Sequence, residues 1–146
     1  MENACTFFWH SNTPGEVEKF LEQKLQYLIE NEDVNCFYIG THGEFDRMAY
    51  VVLKRMKIRY PQIQYYRVLS CIPIERNTYL ETDTLIPEGI ETVHGRYSII
   101  YRNKWMLSKS QYVVVYVKHS YGGATQFADI AKRQGKRLIN LAQYMK

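Results

Sequence analysis

The sequence lacks long apolar runs and closely spaced cysteines, and both absences narrow what the protein can be. No stretch approaches the roughly 18 consecutive apolar residues that a membrane-spanning helix requires. The first residues also lack the basic segment and apolar run of a secretory signal. Cys5, Cys36 and Cys71 are too far apart to form a CxxC pair, so we expect buried, reduced thiols. These features predict a cytoplasmic protein without membrane contact.

Dense positive charge and metal-ligand spacings are missing as well. The 146 residues include 19 Lys and Arg against 15 Asp and Glu, a net charge of +4. The basic clusters at 54–59 and 132–137 fall at predicted helix ends, where cations complement the helix dipole. DNA binding is therefore kept as the least favoured alternative. None of the four histidines has HxH or HExxH spacing, so we predict neither a metal nor a cofactor.

What the sequence does contain is an alternation of strand-like and helix-like segments. The strand-like runs are 5–9, 34–39, 64–72, 111–117 and 137–141, and helical apolar stripes lie between them. This alternation is typical of βαβ units around a parallel sheet. A hydrophobic content of 46% is enough for one core. We therefore predict a single Rossmann-like three-layer α/β/α domain, residues 1–146, with a mostly parallel sheet of about five strands.

The segment from Pro73 to Arg96 is broken by proline and glycine and has no sustained period. Loops of this length are uncommon inside compact domains and are often lids or binding loops. A structural excursion with a short extra strand explains the same pattern. The sequence leaves both interpretations open.

Two glycine-bearing turns each join a strand to a helix. The first is residues 40–43, Gly-Thr-His-Gly, and the second is residues 120–123, Ser-Tyr-Gly-Gly. An open α/β sheet gathers such turns at one edge, and the helix N-termini there attract phosphate. Glycine lacks the Cβ that would keep an anion away from the amides. The turns therefore predict an anion site built chiefly of backbone N–H groups.

The residues around these turns resemble the SLOG superfamily, which joins the Lonely Guy phosphoribohydrolases with the DNA-processing protein A fold. Residues 40–49 are similar to its glycine-rich turn of the form SGGARGIDxxA. Residues 102–106 resemble its helical Arg-Lys or Arg-Asn-Arg motif, and residues 121–125 resemble its PGGxGTxxE loop. Order and spacing agree over roughly residues 5–141, and the short stand-alone members of bacteria and their prophages are the most similar.

This resemblance implies a nucleotide-derived ligand, either a nucleoside phosphate or an ADP-ribose derivative, including cyclic signalling forms. The protein would sense or sequester that ligand, and in a phage it would act as an anti-defence sink for the signal. The resemblance assigns phosphate-binding turns to Gly40, Gly43, Gly122, Gly123 and Thr125. It also implies a homo-oligomer, a dimer or higher assembly, with pockets near the subunit interface.

One departure from the family pattern weakens an enzymatic interpretation. The catalytic glutamate of the phosphoribohydrolases, three residues after the loop threonine, corresponds to Ala128. Asp129 lies one residue further, turned by about 100° on a helix. Cleavage at ribose needs a placed carboxylate, for which Glu44 and Asp46 are the remaining candidates. We therefore favour a binding protein over a phosphoribohydrolase or N-glycosidase, and leave the catalytic residues unassigned.

Further residues complete the predicted site. Arg102 matches the arginine of the family motif that reaches the ligand. An arginine suits this role because its planar guanidinium can bind a phosphate through two hydrogen bonds. Asn103 would cap or orient that site. Trp9 and Phe45 are base-stacking candidates, although core or rim packing explains both rings as well. The predicted ligand-binding set is Gly40, Thr41, His42, Gly43, Asp46, Arg102, Asn103, Ser120, Tyr121, Gly122, Gly123, Ala124 and Thr125. His10, His42 and His119 each follow a strand, so all three are expected at one sheet edge as hydrogen-bonding imidazoles.

Overall fold

A parallel sheet of six strands runs through residues 3–10, 13–72 and 83–145, the parts of the chain that the computed structural model describes. The strands are β1 Ala4–Trp9, β2 Cys36–Ile39, β3 Gln64–Val68, β4 Thr84–Leu85, β5 Tyr112–Tyr116 and β6 Arg137–Asn140. The predicted Rossmann-like α/β fold is confirmed, but the count of about five strands is one too low. The additional strand is β4, whose two residues are too few to show an alternating pattern.

Four helices flank this sheet. They are α1 Val17–Asn31, α2 Gly43–Arg59, α3 Ser98–Ser108 and α4 Gly123–Arg133. Short 3₁₀ turns span Ile90–Thr92, Gly95–Tyr97 and Leu141–Tyr144. Pro14 precedes the first helix, which begins at Val17 after a turn at residues 15 and 16. None of the helices in the described ranges is long and apolar enough to cross a membrane.

Each face of the sheet is covered by one pair of helices. Helices α1 and α2 pack on one face of the sheet, and α3 and α4 pack on the other. Successive residues of each strand point to opposite faces, so the strands contribute side chains to both cores. The buried strand residues under α1 and α2 are Cys5, Phe7, Phe37, Ile39, Tyr112, Val114 and Tyr116. Those under α3 and α4 are Ala4, Phe8, Cys36, Tyr38, Val68, Val113 and Val115. The layers are therefore α/β/α, as predicted.

The order of the strands places a reversal in the middle of the sheet. The order is β4-β3-β2-β1-β5-β6, so the chain moves outward from β1 to β4 and then returns to β5, beside β1. All five residues of β5 are buried, as expected of a central strand covered on both faces. In such sheets ligands bind outside the carboxyl ends of the strands at this reversal. The β1–β5 junction is therefore where the fold favours a site.

The segment predicted as either a lid or a structural excursion is described in part. Residues 73–82, the first ten of the 24 in the predicted lid, lie outside the described residues. Residues 83–96 contain β4, so the short extra strand is present. Arg67 on β3 pairs with Asp83 at 3.2 Å, just before β4. This ion pair holds the returning end of the segment against the sheet.

The three cysteines do not share one environment. Cys5 and Cys36 are buried and reduced, as expected, and burial raises the pKa of the Cys5 thiol far above its usual range. Cys71 is exposed, so the expectation of three buried thiols is wrong. The reason is that β3 ends at Val68 and not at residue 72. Cys71 therefore lies beyond the strand that would have buried it.

The packing of α2 on the sheet can be tested with two substitutions on that helix. Leu53 is fully buried and Ile58 is 81% exposed. Leu53→Ala is expected to lower the free energy of unfolding by about 2–5 kcal/mol, because it leaves a cavity in the core. Ile58→Ala, the matched control, should change it by less than about 0.5 kcal/mol. Urea unfolding followed by circular dichroism measures both, and equal losses would mean that α2 packs on a different face.

Candidate functional site

A cleft with a volume of about 670 Å³ opens at the carboxyl edge of the sheet, across the β1–β5 junction. Both glycine turns contribute to its lining, so the two predicted halves of the site lie together. The lining residues are Phe7, Phe8, Trp9, His10, Gly40, His42, Gly43, Glu44, Phe45, Asp46, Ile99, Arg102, Asn103, Met106, His119, Tyr121, Gly122, Gly123 and Ala124.

Most of the predicted site residues line this cleft, but three do not. Thr41, Ser120 and Thr125 lie outside the lining. The sequence analysis missed the apolar floor, which Phe7, Phe8, Ile99 and Met106 form. Ile99 and Met106 stand three or four residues from the predicted pair at 102 and 103 on α3. This helical spacing puts all four on one face and was a signal available in the sequence.

Arg102 is buried beside the cleft and bonded to neighbours from several elements. Its side chain is 2% exposed, and its Nη1 donates to the Val68 carbonyl oxygen at 2.9 Å. Nη1 also lies 3.3 Å from the Thr41 hydroxyl, and Nε donates to Asn103 Oδ1 at 2.9 Å. Nη2 lies 3.3 Å from Nδ1 of His42, which accepts when unprotonated. The guanidinium therefore connects the first glycine turn to β3 and α3. Arg102 is not a solvent-exposed arginine on the surface of its helix.

Asp46 carries the carboxylate that faces this arginine. Its Oδ2 accepts the backbone N–H of His42 at 3.0 Å, so it stabilises the start of α2. Burial raises the pKa of Asp46, and the His42 N–H and the Arg102 charge oppose that rise. Burial likewise lowers the pKa of Arg102, and Asp46 opposes that change. Asp46 is thus both a helix N-terminal carboxylate and a wall of the cleft.

Gly40 is required by this pair of charges. A Cβ built on Gly40 would lie 2.6 Å from Asp46 Oδ2 and 3.4 Å from Arg102 Cζ. The first of these distances is shorter than any real Cβ contact, so a side chain here must displace the carboxylate. The first glycine of the turn therefore makes room for Asp46 and Arg102, which backbone flexibility alone does not explain.

The second glycine turn presents the N-terminus of α4 to the cleft. Gly122 has φ of 102°, which side chains rarely adopt, and it caps α4 without a side-chain hydrogen bond. The first N–H to bond within the helix is that of Gln126, which donates to Gly122. The three N–H groups before it have no helical partner. The Thr125 hydroxyl lies 2.7 Å from the His119 carbonyl oxygen and 3.1 Å from that of Tyr121, so Thr125 holds the turn in shape.

Two histidines and a tyrosine form a cluster at this end of the cleft. The ring centroids of His10 and His119 are 4.6 Å apart, and those of His119 and Tyr121 are 5.1 Å apart and stacked. The backbone N–H of His119 donates to Nε2 of His10 at 3.4 Å. Burial lowers the pKa of His10, and the neighbouring His119 lowers it further. Tyr121 is 71% exposed, so its ring stands at the mouth of the cleft.

The other two aromatic candidates differ from Tyr121. Trp9 stacks on Phe7 with ring centroids 5.7 Å apart, so its ring packs at the rim of the core. Its buried indole Nε1 lies near enough to Asp46 to lower that carboxyl's pKa slightly, yet it forms no hydrogen bond of acceptable geometry with the described residues. It is therefore an unsatisfied donor at the cleft wall. Phe45 is half-buried and lines the cleft.

The position that corresponds to the catalytic glutamate of the phosphoribohydrolases lies outside the cleft lining. Ala128 is 5% exposed and packs in the core between α4 and the sheet. Asp129 is exposed, and neither residue lines the cleft. Glu44 lines it but is exposed and pairs with Arg47 at 3.0 Å. Within the described ranges, no three His, Cys, Asp or Glu side chains group as metal ligands.

Comparison with known proteins assigns no family to the chain. No protein-family model matches the chain, and no curated protein matches its sequence.

The role of Gly40 can be tested against that of Gly123. Gly40→Ala is expected to reduce the free energy of unfolding by about 1–3 kcal/mol, because it breaks the charged hydrogen bond from His42 to Asp46. An added Cβ on Gly123 meets nothing within 4 Å and its φ is ordinary, so Gly123→Ala should leave stability unchanged or raise it slightly. Thermal and urea unfolding measure both variants. A Gly40→Ala protein as stable as wild type would refute the crowding argument.

Proposed function

We propose that the protein binds a phosphate-bearing nucleotide or an ADP-ribose-derived ligand in this cleft, as a sensor or a sequestering protein. The observation that carries the proposal is the meeting of two helix N-termini, each without a side-chain cap, at one cleft on the β1–β5 reversal. Unpaired N–H groups and the helix dipole favour an anion at such a position. A SLOG relationship, including a cyclic signalling ligand and a phage anti-defence role, is part of the same proposal.

The dimensions and lining of the cleft support a nucleotide as the ligand. Its volume falls within the roughly 300–1,000 Å³ usual for small-molecule sites. Apolar side chains form the floor, which suits a base, while Tyr121 at the mouth offers a free ring face for stacking. Asp46 and Glu44 are acceptors for ribose hydroxyls at the other end. An anion belongs at the α4 end, since carboxylates line the α2 end.

Arg102 supports the proposal in a different way from the one the family motif suggests. Its donors already bond to Val68, Thr41 and Asn103, so it shapes the wall of the site. The Nη2 group lies 3.3 Å from Nδ1 of His42, another residue of the cleft lining. We infer that Arg102 holds the first turn open for the ligand and contacts it through His42 or Nη2.

An enzyme is the alternative, and one observation favours it. Asp46 lines the cleft and burial raises its pKa, which is a feature of general acids. An N-glycosidase would use that carboxyl at the glycosidic bond. Against it stand the hydrogen bond that Asp46 already accepts from His42 and the core position of Ala128. A binding protein is therefore the better supported function.

DNA binding has less support than either. Two basic side chains of the second cluster, which lie beyond the end of α4, are already engaged: Arg137 pairs with Glu32 at 2.9 Å, and Lys136 donates to the Ser110 carbonyl oxygen at 2.7 Å. Salt-dependent affinity for duplex DNA would be its signature. An assembly of two or more chains belongs to the proposal as well, because Tyr97 and Ile100 expose apolar surface adjacent in sequence to Ile99, which lines the cleft.

Ligand binding is tested with a glycine pair. Gly123→Val should abolish the binding of AMP, ADP and ADP-ribose, measured by calorimetry, because the branched side chain covers the α4 amides. Gly95→Val is the matched control, since Gly95 also has free space around it and lies outside the cleft. It should bind like wild type. Equal affinities in both variants would place the ligand elsewhere.

Binding and catalysis are separated by following the ligand. The purified protein is denatured and any released small molecule is identified by mass spectrometry; candidate nucleotides are then incubated with fresh protein. An intact ligand in stoichiometric amount is expected. Release of free base, lost in Asp46→Asn, would establish the glycosidase instead.

A further inference from the structure

His10 is a buried imidazole with one ring nitrogen bonded and one without a partner. The side chain is 9% exposed, yet it lines the cleft. Its Nε2 accepts a hydrogen bond from the backbone N–H of His119 at 3.4 Å. In the neutral ring the proton is therefore on Nδ1. In the described part of the chain, no acceptor is hydrogen-bonded to that Nδ1–H. This N–H is therefore available to an acceptor in the cleft.

The unpartnered edge of the His10 ring lies against the second glycine turn. A Cβ built on Gly122 would lie 3.9 Å from both Cε1 and Nδ1 of His10. The next residues, Gly123 and Ala124, begin α4 and line the same part of the cleft. One imidazole N–H and the unpaired amides of a helix N-terminus therefore converge on a small volume. Both kinds of group are hydrogen-bond donors.

The second imidazole reinforces this arrangement. His119 lies 4.6 Å from His10 between ring centroids, and within the described residues neither ring is hydrogen-bonded to a carboxylate. Two neighbouring imidazoles without an acid partner repel each other when protonated. An anion between them and the α4 amides would offset that repulsion, because it is attracted to both rings.

We propose that His10 and His119, with the first amides of α4, form a proton-linked subsite for one phosphate group of the ligand, so that binding takes up a proton. This inference rests on the proposed function and adds to it the part of the two imidazoles in holding the phosphate and the dependence of binding on pH. The subsite leaves the α2 end of the cleft to the uncharged parts of the ligand.

The direction of the pH dependence follows from the free protein. Burial and His119 hold the pKa of His10 below its usual value of 6.5, so the ring is neutral at pH 7 without ligand. A bound phosphate raises that pKa, because it stabilises the imidazolium. Affinity must then rise as pH falls through the bound-state pKa and level off below the free-state pKa. For each proton taken up on binding, the affinity changes by at most about tenfold per pH unit.

Other titratable groups face the same cleft and must be separated from His10. Tyr121 shares the turn with His119, while His42, Glu44 and Asp46 come from the α2 side and Arg102 from α3. Protonation of a carboxylate would also strengthen anion binding at acid pH. Measurements between pH 6.0 and 8.0 and substitution of His10 itself distinguish these contributions.

The experiment is calorimetric titration with ADP-ribose, and with sulfate as a probe that has no base. ADP-ribose has no phosphate monoester, whose second pKa near 6 would confuse the result. Two buffers of different ionisation enthalpy count the protons taken up. The variants are His10→Gln, which keeps an acceptor for the His119 N–H without titrating, and the control His94→Gln, whose ring lies outside the cleft.

Wild type and His94→Gln are expected to gain about three- to tenfold in ADP-ribose affinity from pH 8.0 to 6.0, with proton uptake. His10→Gln should bind more weakly at pH 6.0 and show neither effect. If that variant fails to fold, His119→Gln, at a half-exposed ring, removes the neighbour that lowers the pKa of His10; it should bind ADP-ribose more weakly at pH 6.0 and take up fewer protons, because His10 is then more protonated before binding.

The outcomes separate this inference from the proposed function. ADP-ribose binding that is independent of pH, or proton uptake that survives in His10→Gln, would overturn the subsite and leave nucleotide binding intact. Sulfate binding with proton uptake but no binding of nucleotides would support the subsite and overturn the nucleotide ligand. Binding of neither probe would overturn both.

Discussion

The pairing of β1 with β5 is the constraint on which the rest of the molecule depends. The two strands run parallel in continuous register, from Cys5 opposite Tyr112 to Trp9 opposite Tyr116. Because every strand in the described sheet is parallel, all carboxyl ends point to one edge and the helices that follow them start there. The reversal of strand order beside β1 separates two of those helix starts, and the cleft lies between them. A slip of one residue in this pairing would exchange the two faces of β1 and remove the cleft floor.

Charge is distributed unevenly along this cleft. At the α2 end, Asp46 and Arg102 are partly or fully removed from water and oppose each other's shift in pKa. Pairs of this kind contribute little net stability, but loss of one partner is destabilising because the other charge is left unpaired. Their hydrogen bonds to the first turn give them a structural role. At the α4 end, the described groups that line the cleft are the helix amides, the His10 and His119 imidazoles and the Tyr121 ring. The molecule thus keeps its fixed carboxylates away from the amides that attract an anion.

The same division bears on binding and catalysis. A catalytic carboxylate on α4 would stand beside the anion-attracting amides, but that helix turns Ala128 into the core and Asp129 into solvent. The carboxylates that do line the cleft come from α2, where one stabilises the helix start and the other pairs with Arg47. Retention of a ligand requires only the amides, the imidazoles and the apolar floor. This is the physical reason to favour a binding protein.

The sequence by itself determined the fold class, the positions of five strands and four helices, and the two glycine turns at the sheet edge. These features depend on periodicity and turn chemistry within a few residues, which a single chain displays directly. Only the tertiary structure decided the rest: the sixth strand, the exposure of Cys71, the burial of Arg102 and the pairing of His10 with His119. Each depends on contacts between distant residues, such as the hydrogen bond that joins His119 to His10 across 109 positions. Local patterns cannot report such contacts, because the free energy that forms them comes from packing the whole sheet between its helices.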